Sequence, residues 1–289
     1  MIWNLGSINI DSFYQLPHLP GPGETLTAQG YSQGLGGKGA NMSVACARAG
    51  ARVAHIGAVG ADGRWTVERL LEYGVDTPHI AQVDTPTGLA NIWVDAAGEN
   101  SIVLFVGANH CLTEQMLGAA LTEATPGDTL LMQNETNGQA YAKTTARMLG
   151  LRVVYAAAPF DAKAVMEIAD GIDLLVLNEV EAGQLRDATG SDLVDLGIRD
   201  VIVTLGEKGC AWITAGETRT FAAYPADPVD TTGAGDTFTG YLAAALDRGL
   251  SMEEAIDLGL RAASLMVRRQ GTADVIPDLK EIQDHDFGQ

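Results

Sequence analysis

The feature that most constrains the fold is a repeated alternation of short apolar runs with longer segments of helical periodicity. Apolar runs fall at 2–6, 53–59, 129–133, 152–156, 174–177, 201–205 and 210–214. Several are unbroken, as strands covered on both faces require. Segments 38–49, 64–72, 138–149, 179–188 and 234–247 carry helical patterns between them. A β-α-β order of this kind predicts a mainly parallel sheet with helices on both sides, a three-layer α/β/α sandwich. Two stretches break the order. Residues 20–33 and 88–106 read as hairpin-like strands with polar turns, which predicts a small accessory sheet acting as a lid. With no repeat or linker in the 289 residues, one domain is expected, with lid strands from about 10–35 and 86–107. The final segment, IQDHDFGQ, reads as a frayed end.

Composition excludes several function classes. The formal net charge is −19 with only 18 Lys and Arg, so nucleic acid and anionic membrane surfaces are poor partners. An anion could bind only through local backbone donors or a bound cation. Cys46, Cys111 and Cys210 are widely spaced and form no CxxC pair; they read as free thiols of a reducing cytoplasm. The five histidines show no metal-ligand spacing. The start of the chain lacks a signal peptide's basic and apolar regions, and no run of about 20 apolar residues occurs.

The sharpest chemical signal is VDTTGAGDTFTGYLAAAL at 229–246. Gly233 and Gly235 flank Ala234 in a turn that opens a helix, with Phe238, Leu242, Ala245 and Leu246 on one face. Such a turn offers backbone N–H groups and the positive end of the helix dipole to a phosphate or developing anion. Asp236, in the first helical turn, could cap the helix, but a cap alone does not call for Asp230, Thr231, Thr232, Thr237 and Thr239 around it. A second cluster, GLGGKGAN at 34–41, also precedes a helix. Neither fits a better-known nucleotide motif. GAGDTF has Phe238 where GxGxxG ends in glycine, and GLGGKG has Gly39 where a P-loop carries Ser or Thr.

These two segments, GGKGAN and VDTTGAGDTFTG, resemble the two signatures of the ribokinase family, also called the PfkB family of carbohydrate kinases. GSINID at 6–11, PGET at 22–25, GEN at 98–100, GAN at 107–109, MQNE at 132–135, LNEVEA at 177–182 and VTLGEKG at 203–209 follow in the family's order. The resemblance implies ATP-dependent phosphorylation of a free sugar hydroxyl, D-ribose to ribose 5-phosphate first among the candidates. It implies Asp236 as the general base and Gly233, Ala234 and Gly235 as the anion hole. Asn9, Asp11, Gly37, Lys38, Asn41 and Glu135 would hold the sugar. Asn178, Thr204, Gly206 and Gly209 would border ATP, and Glu181 would reach Mg²⁺ through water. Asp230 and Thr232, with backbone near Met266 and Gly271, would bind a monovalent cation such as K⁺. Val275 stands where relatives often carry serine, which makes potassium dependence less secure than ATP use. A homodimer through the lid is implied as well, its apolar face including Ile92, Trp93 and Val94.

The substrate is narrowed by an absence. Neither 1–37 nor 70–142 contains Lys or Arg. A sugar phosphate would need cations there, so an uncharged sugar is favoured. A nucleoside kinase is the alternative, its base walled by Phe13, Tyr14, Trp93 or Phe105. A non-catalytic sugar- or nucleotide-binding regulator is another, but a pure binder has no use for Asp236 as a base.

Overall fold

The computed structural model describes residues 1–287. Thirteen strands and nine α-helices follow one another along these residues. They are β1 (Ile2–Leu5), β2 (Asn9–Gln15), β3 (Gly30–Gly36), α1 (Lys38–Arg48), β4 (Val53–Val59), α2 (Arg64–Glu72), β5 (Ile80–Gln82), β6 (Gly88–Val94), β7 (Asn100–Phe105), α3 (Glu114–Leu121), β8 (Thr129–Gln133), α4 (Gln139–Leu149), β9 (Arg152–Ala156), α5 (Ala162–Ile168), β10 (Leu174–Asn178), α6 (Glu179–Thr189), β11 (Asp200–Thr204), β12 (Cys210–Ile213), β13 (Thr218–Phe221), α7 (Ala234–Asp247), α8 (Met252–Met266) and α9 (Leu279–Asp284).

Nine strands form one sheet in the order β13-β12-β11-β10-β9-β8-β1-β4-β5. Only the β11–β12 and β12–β13 pairings are antiparallel. The sheet is the middle of three layers, and alternation along each strand divides the core. In β1, Ile2 joins the cluster with α1, α7 and α8, while Trp3 joins the opposite cluster with α3, α4, α5 and α6. Phe238, Tyr241 and Leu242 of α7 are buried, and each such side chain contributes roughly 1.5–3 kcal/mol by leaving water.

The second sheet, β3-β2-β6-β7, takes β3, β6 and β7 from the two stretches that broke the β-α-β order and β2 from the segment before them. Asn9 pairs with Gly36 and with Gly88, so β2 is flanked by a strand on each side. One expectation shifts here. Of the stretch 20–33, only the part from Gly30 is strand; β2 supplies its partner, and residues 16–29 form the irregular connection. Gly21, Gly23 and three prolines between 17 and 22 account for that. The end of the chain also differs from a frayed tail. Ile282 is buried in α9, and the ring of Phe287 lies 4.8 Å from that of Tyr224; Gly288 and Gln289 lie outside the described residues. No described helix is long and apolar enough to cross a membrane.

Candidate active site

Local chain geometry delivers each polar group to one end of the large sheet. The chain leaves β1 at Leu5 and enters the small sheet at Asn9, so β2 carries Asn9 and Asp11 across the site. The helix α1 opens at Lys38 and places Asn41 in its first turn. Gly233, at φ +77°, turns the backbone into α7, a conformation only glycine adopts readily. Asp236 then sits in the first turn of α7. Where α1 and α7 pack together, Asn41 Nδ2 donates to Asp236 Oδ2 at 2.9 Å. Both side chains are buried.

Asp11 lies against bare backbone. A Cβ at Gly36 would overlap the Asp11 carboxylate. Asp11 Oδ1 and Asn41 Oδ1 are buried without a hydrogen-bond partner among the described residues. Unpaired buried oxygens of this kind call for a ligand, because leaving them unmatched is costly. Burial, reinforced by the charges of Glu135 and Asp236 and opposed by Lys38, pushes the Asp11 carboxyl up to about 7. Burial also raises Asp236, against Lys38 and the Asn41 hydrogen bond. Lys38 is held above its ordinary value chiefly by Asp236, then Glu135, Glu181 and Asp11, with burial opposing. One ammonium thus faces four carboxyl groups.

Glu135 reaches the same cluster from the loop after β8. Its Oε2 accepts from the Lys38 backbone N–H at 3.0 Å and from the Ser7 hydroxyl. Asn9 Oδ1 accepts from Asn109 Nδ2 at 2.8 Å, and Asn109 Oδ1 accepts from Ile8 N at 2.9 Å. Sequence reasoning assigned no role to Ser7 or Asn109, although both lie in the short motifs GSINID and GAN that marked the family resemblance.

A cavity of about 1330 Å³ adjoins this cluster. Lys38, Asn178, Glu181, Thr204, Gly206 and the Gly233–Asp236 turn line it, with Tyr224, Leu260 and Val267 among its apolar walls. Asn9, Asp11, Asn41 and Glu135 do not line it. Asp236 and Lys38 therefore stand where the cavity meets the polar cluster. Gly209 is off the cavity: at φ +98° its Cα packs against the backbone of residues 221–223.

Asn178 and Glu181 form a capping box at the start of α6, each side chain accepting from the other's backbone N–H at 2.8 Å. Burial raises Glu181; the backbone N–H of Asn178 and the charge of Lys38 oppose it. Asp230 gathers the segment expected to hold a monovalent cation, accepting from Thr232 N at 2.9 Å and Gly271 N at 3.2 Å. The Met266 carbonyl takes the Arg269 N–H at 3.0 Å, its sulfur takes the Thr237 hydroxyl, and Val275 presents methyl groups toward Gly271. A carboxylate with neighbouring carbonyls suits a large monovalent ion, but no side-chain oxygen comes from position 275. Among the described residues, no three His, Cys, Asp or Glu converge as a metal cluster. A divalent ion here would depend on phosphate oxygens and water for most of its ligands.

The profile of the pfkB family carbohydrate kinases matches residues 1–279. The chain belongs to that family. It is an ATP-dependent sugar kinase. The ribokinase of Haemophilus influenzae is 39% identical over 96% of this chain and 95% of its own length. The deoxyribokinase of Salmonella typhi is 30% identical, covering 97% of each chain. The solved structure of Arabidopsis thaliana ribokinase complexed with ribose and ATP superposes with a TM-score of 0.86, at 31% identity, over 98% of this chain and 96% of that one. Both sheets of the family's α/β architecture are therefore present in this chain.

Proposed function

We propose that this kinase transfers the γ-phosphoryl group of ATP to the 5-hydroxyl of D-ribose, with Asp236 as general base. The observation that carries the reading is the position of Asp236, lining the large cavity on one side and hydrogen-bonded to Asn41 on the other. A hydroxyl bound among Asn9, Asp11, Asn41 and Glu135 would meet the Asp236 carboxylate. Its oxygen would then face a phosphoryl group seated at the Gly233–Gly235 turn. Asp236 takes the hydroxyl proton as the new O–P bond forms and the bond to the ADP oxygen breaks. The N–H groups of the turn stabilise charge on the transferring group. When bound, Mg²⁺ would supply neutralisation of the phosphate oxygens, and Glu181 would reach it through water. Asn178, Thr204 and Gly206 border the nucleotide. Asp230, Thr232 and the backbone at Met266 and Gly271 would hold a monovalent cation beside the turn.

The sugar is uncharged in this reading. A substrate phosphate would add to the four carboxyl groups around Lys38, with no Arg in the small-sheet spans to balance it. The relative solved with ribose and ATP supports the same substrate pair. A further part of the proposal is that two copies associate through the small sheet. Ile92 is buried within the chain; the exposed apolar run is Ile102–Phe105 on edge strand β7 and Val106 just after it, with Tyr31 on β3. The three cysteines are free, in keeping with a cytoplasmic setting.

Initial rates with ATP across a panel of pentoses, hexoses, deoxyribose, sugar phosphates and nucleosides test the substrate. Ribose should give the highest kcat/KM. A preference for a sugar phosphate or a nucleoside would overturn the assignment.

A further inference from the structure

A second cavity, of about 320 Å³, lies on the other side of the large sheet. It is walled by α3, α4 and α5 and floored by β9. Tyr155 and Ala156 are consecutive in β9, and strand alternation turns them apart. Tyr155 lines this cavity and Ala156 lines the large one. The loop after β8 is divided in the same way: Asn134 and Asn137 line the second cavity, while Glu135 between them accepts from Lys38 and Ser7 at the catalytic cluster. The two cavities share a wall but no lining residue.

Three features of the second cavity point to a ligand. The Tyr155 side chain is fully buried, yet its hydroxyl has no hydrogen-bond partner among the described residues. Two carboxylates, Glu114 and Glu167, line it from solvent-exposed positions and join no ion pair among those residues. Neither Lys nor Arg lines it, and apolar surface from Leu117 and Ile168 adjoins the ring of Tyr141. An anion would meet uncompensated negative charge. A bare metal ion would lack a cage, because no metal cluster forms among the described residues. A positively charged head on an apolar stem uses all the groups: carboxylates for the charge, aromatic rings for the cation, the aliphatic wall for the stem, and the unpaired hydroxyl as acceptor. Burial raises the Tyr155 phenol well above its ordinary range, so it remains a neutral hydroxyl able to accept.

We infer that this second cavity is a binding site for a small organic ammonium ion, held by Tyr155, Glu114 and Glu167. The inference does not depend on which sugar is phosphorylated.

Isothermal calorimetry with 1,4-butanediammonium at pH 7.5 tests it, on the full chain with saturating ADP to fill the large cavity and with KCl matching ionic strength. Saturable one-site binding is expected. Tyr155→Phe removes only the hydroxyl and should weaken the affinity about tenfold or more, as loss of a hydrogen bond to a charged group does. Because that hydroxyl is unpartnered, the ligand-free melting temperature of Tyr155→Phe should not fall below wild type, which separates lost binding from lost folding. Glu114→Gln with Glu167→Gln should weaken binding at least as much. Absence of saturable heat, equal affinity for 1,4-butanediol, or undiminished binding in both variants would overturn the proposal.

Discussion

Asn41 and Asp236 are 195 residues apart in the chain and 2.9 Å apart in the fold. The amide holds one carboxylate oxygen of Asp236 and fixes the side chain at the junction of cavity and polar cluster. It lowers the carboxyl's proton affinity while burial raises it.

Replacing Asp236 with Asn preserves shape but removes the proton acceptor; no side chain caps α7, whose N-cap is Gly233, so no helix cap is lost. We expect kcat to fall by ~10²-fold or more. Ribose Kd should change by much less, because Asn9, Asp11, Asn41 and Glu135 remain. Steady-state kinetics and a sugar titration on the same variant check both. Retained kcat would move the base elsewhere, and Asp11 is the next candidate.

Asp11, with its carboxyl near 7, should make sugar binding depend on pH. The ionised form is the stronger acceptor of sugar hydroxyls, so ribose Kd should fall as pH rises from about 6 to 8. The stability effect has the opposite sign. A carboxyl raised in the folded state binds protons more readily there than in the unfolded chain. Its contribution is therefore fully present below about 4 and is lost as pH rises through about 7. Asp11→Asn should flatten both dependences, read by calorimetry and by melting temperature across pH. An unchanged slope in either profile would remove Asp11 as its source.

Asn109 bridges Ile8 and Asn9 without facing the nucleotide cavity. Asn109→Ala leaves the buried Ile8 N–H unmatched and should cost about 1–3 kcal/mol of stability. It also frees the Asn9 side chain, so KM for the sugar should rise while KM for ATP stays within about twofold, an effect on ground-state binding alone. A parallel rise in both constants would count against a sugar-side role.

Association through the small sheet predicts a dimer in light scattering at micromolar concentration. Ile102→Glu with Leu104→Glu places two charges on the exposed apolar run of β7 and should give a monomer with unchanged secondary structure. A wild-type monomer at that concentration would refute the association.

The large sheet was legible because its central strands are short apolar runs with few competing readings. The runs at 53–59, 129–133 and 152–156 match β4, β8 and β9 at both ends. β5 has only three residues, and β13 reads TRTF, so neither carries an apolar signature. α8 went unread although Ser251 and Glu254 spell its capping box. In the site, the glycine turns and Asp236 were readable because special backbone geometry and chemistry coincide there. Spacing in the sequence could not show that Gly209 serves a backbone crossing rather than the cavity wall, or that Asn109 supports Asn9. The first relation is made where the turn between β11 and β12 meets residues 221–223 at the edge of the large sheet; the second is made where the segment after β7 meets Ile8 and Asn9, about 100 positions away, brought there by the register of the small sheet.

That register also binds the fate of position 36 to that of position 11. With no side chain at Gly36, the space beyond its Cα belongs to a carboxylate from the neighbouring strand. Alanine at 36 could be accepted only by a chain whose Asp11 had already been shortened or turned away, and the enzyme would then be asking a different question of its sugar. For anyone redesigning the specificity of this kinase, the two positions amount to one inherited unit. A library that varies position 36 alone will mostly sample chains that cannot pack, whereas paired variation opens a volume the size of a carboxylate at the proposed sugar site.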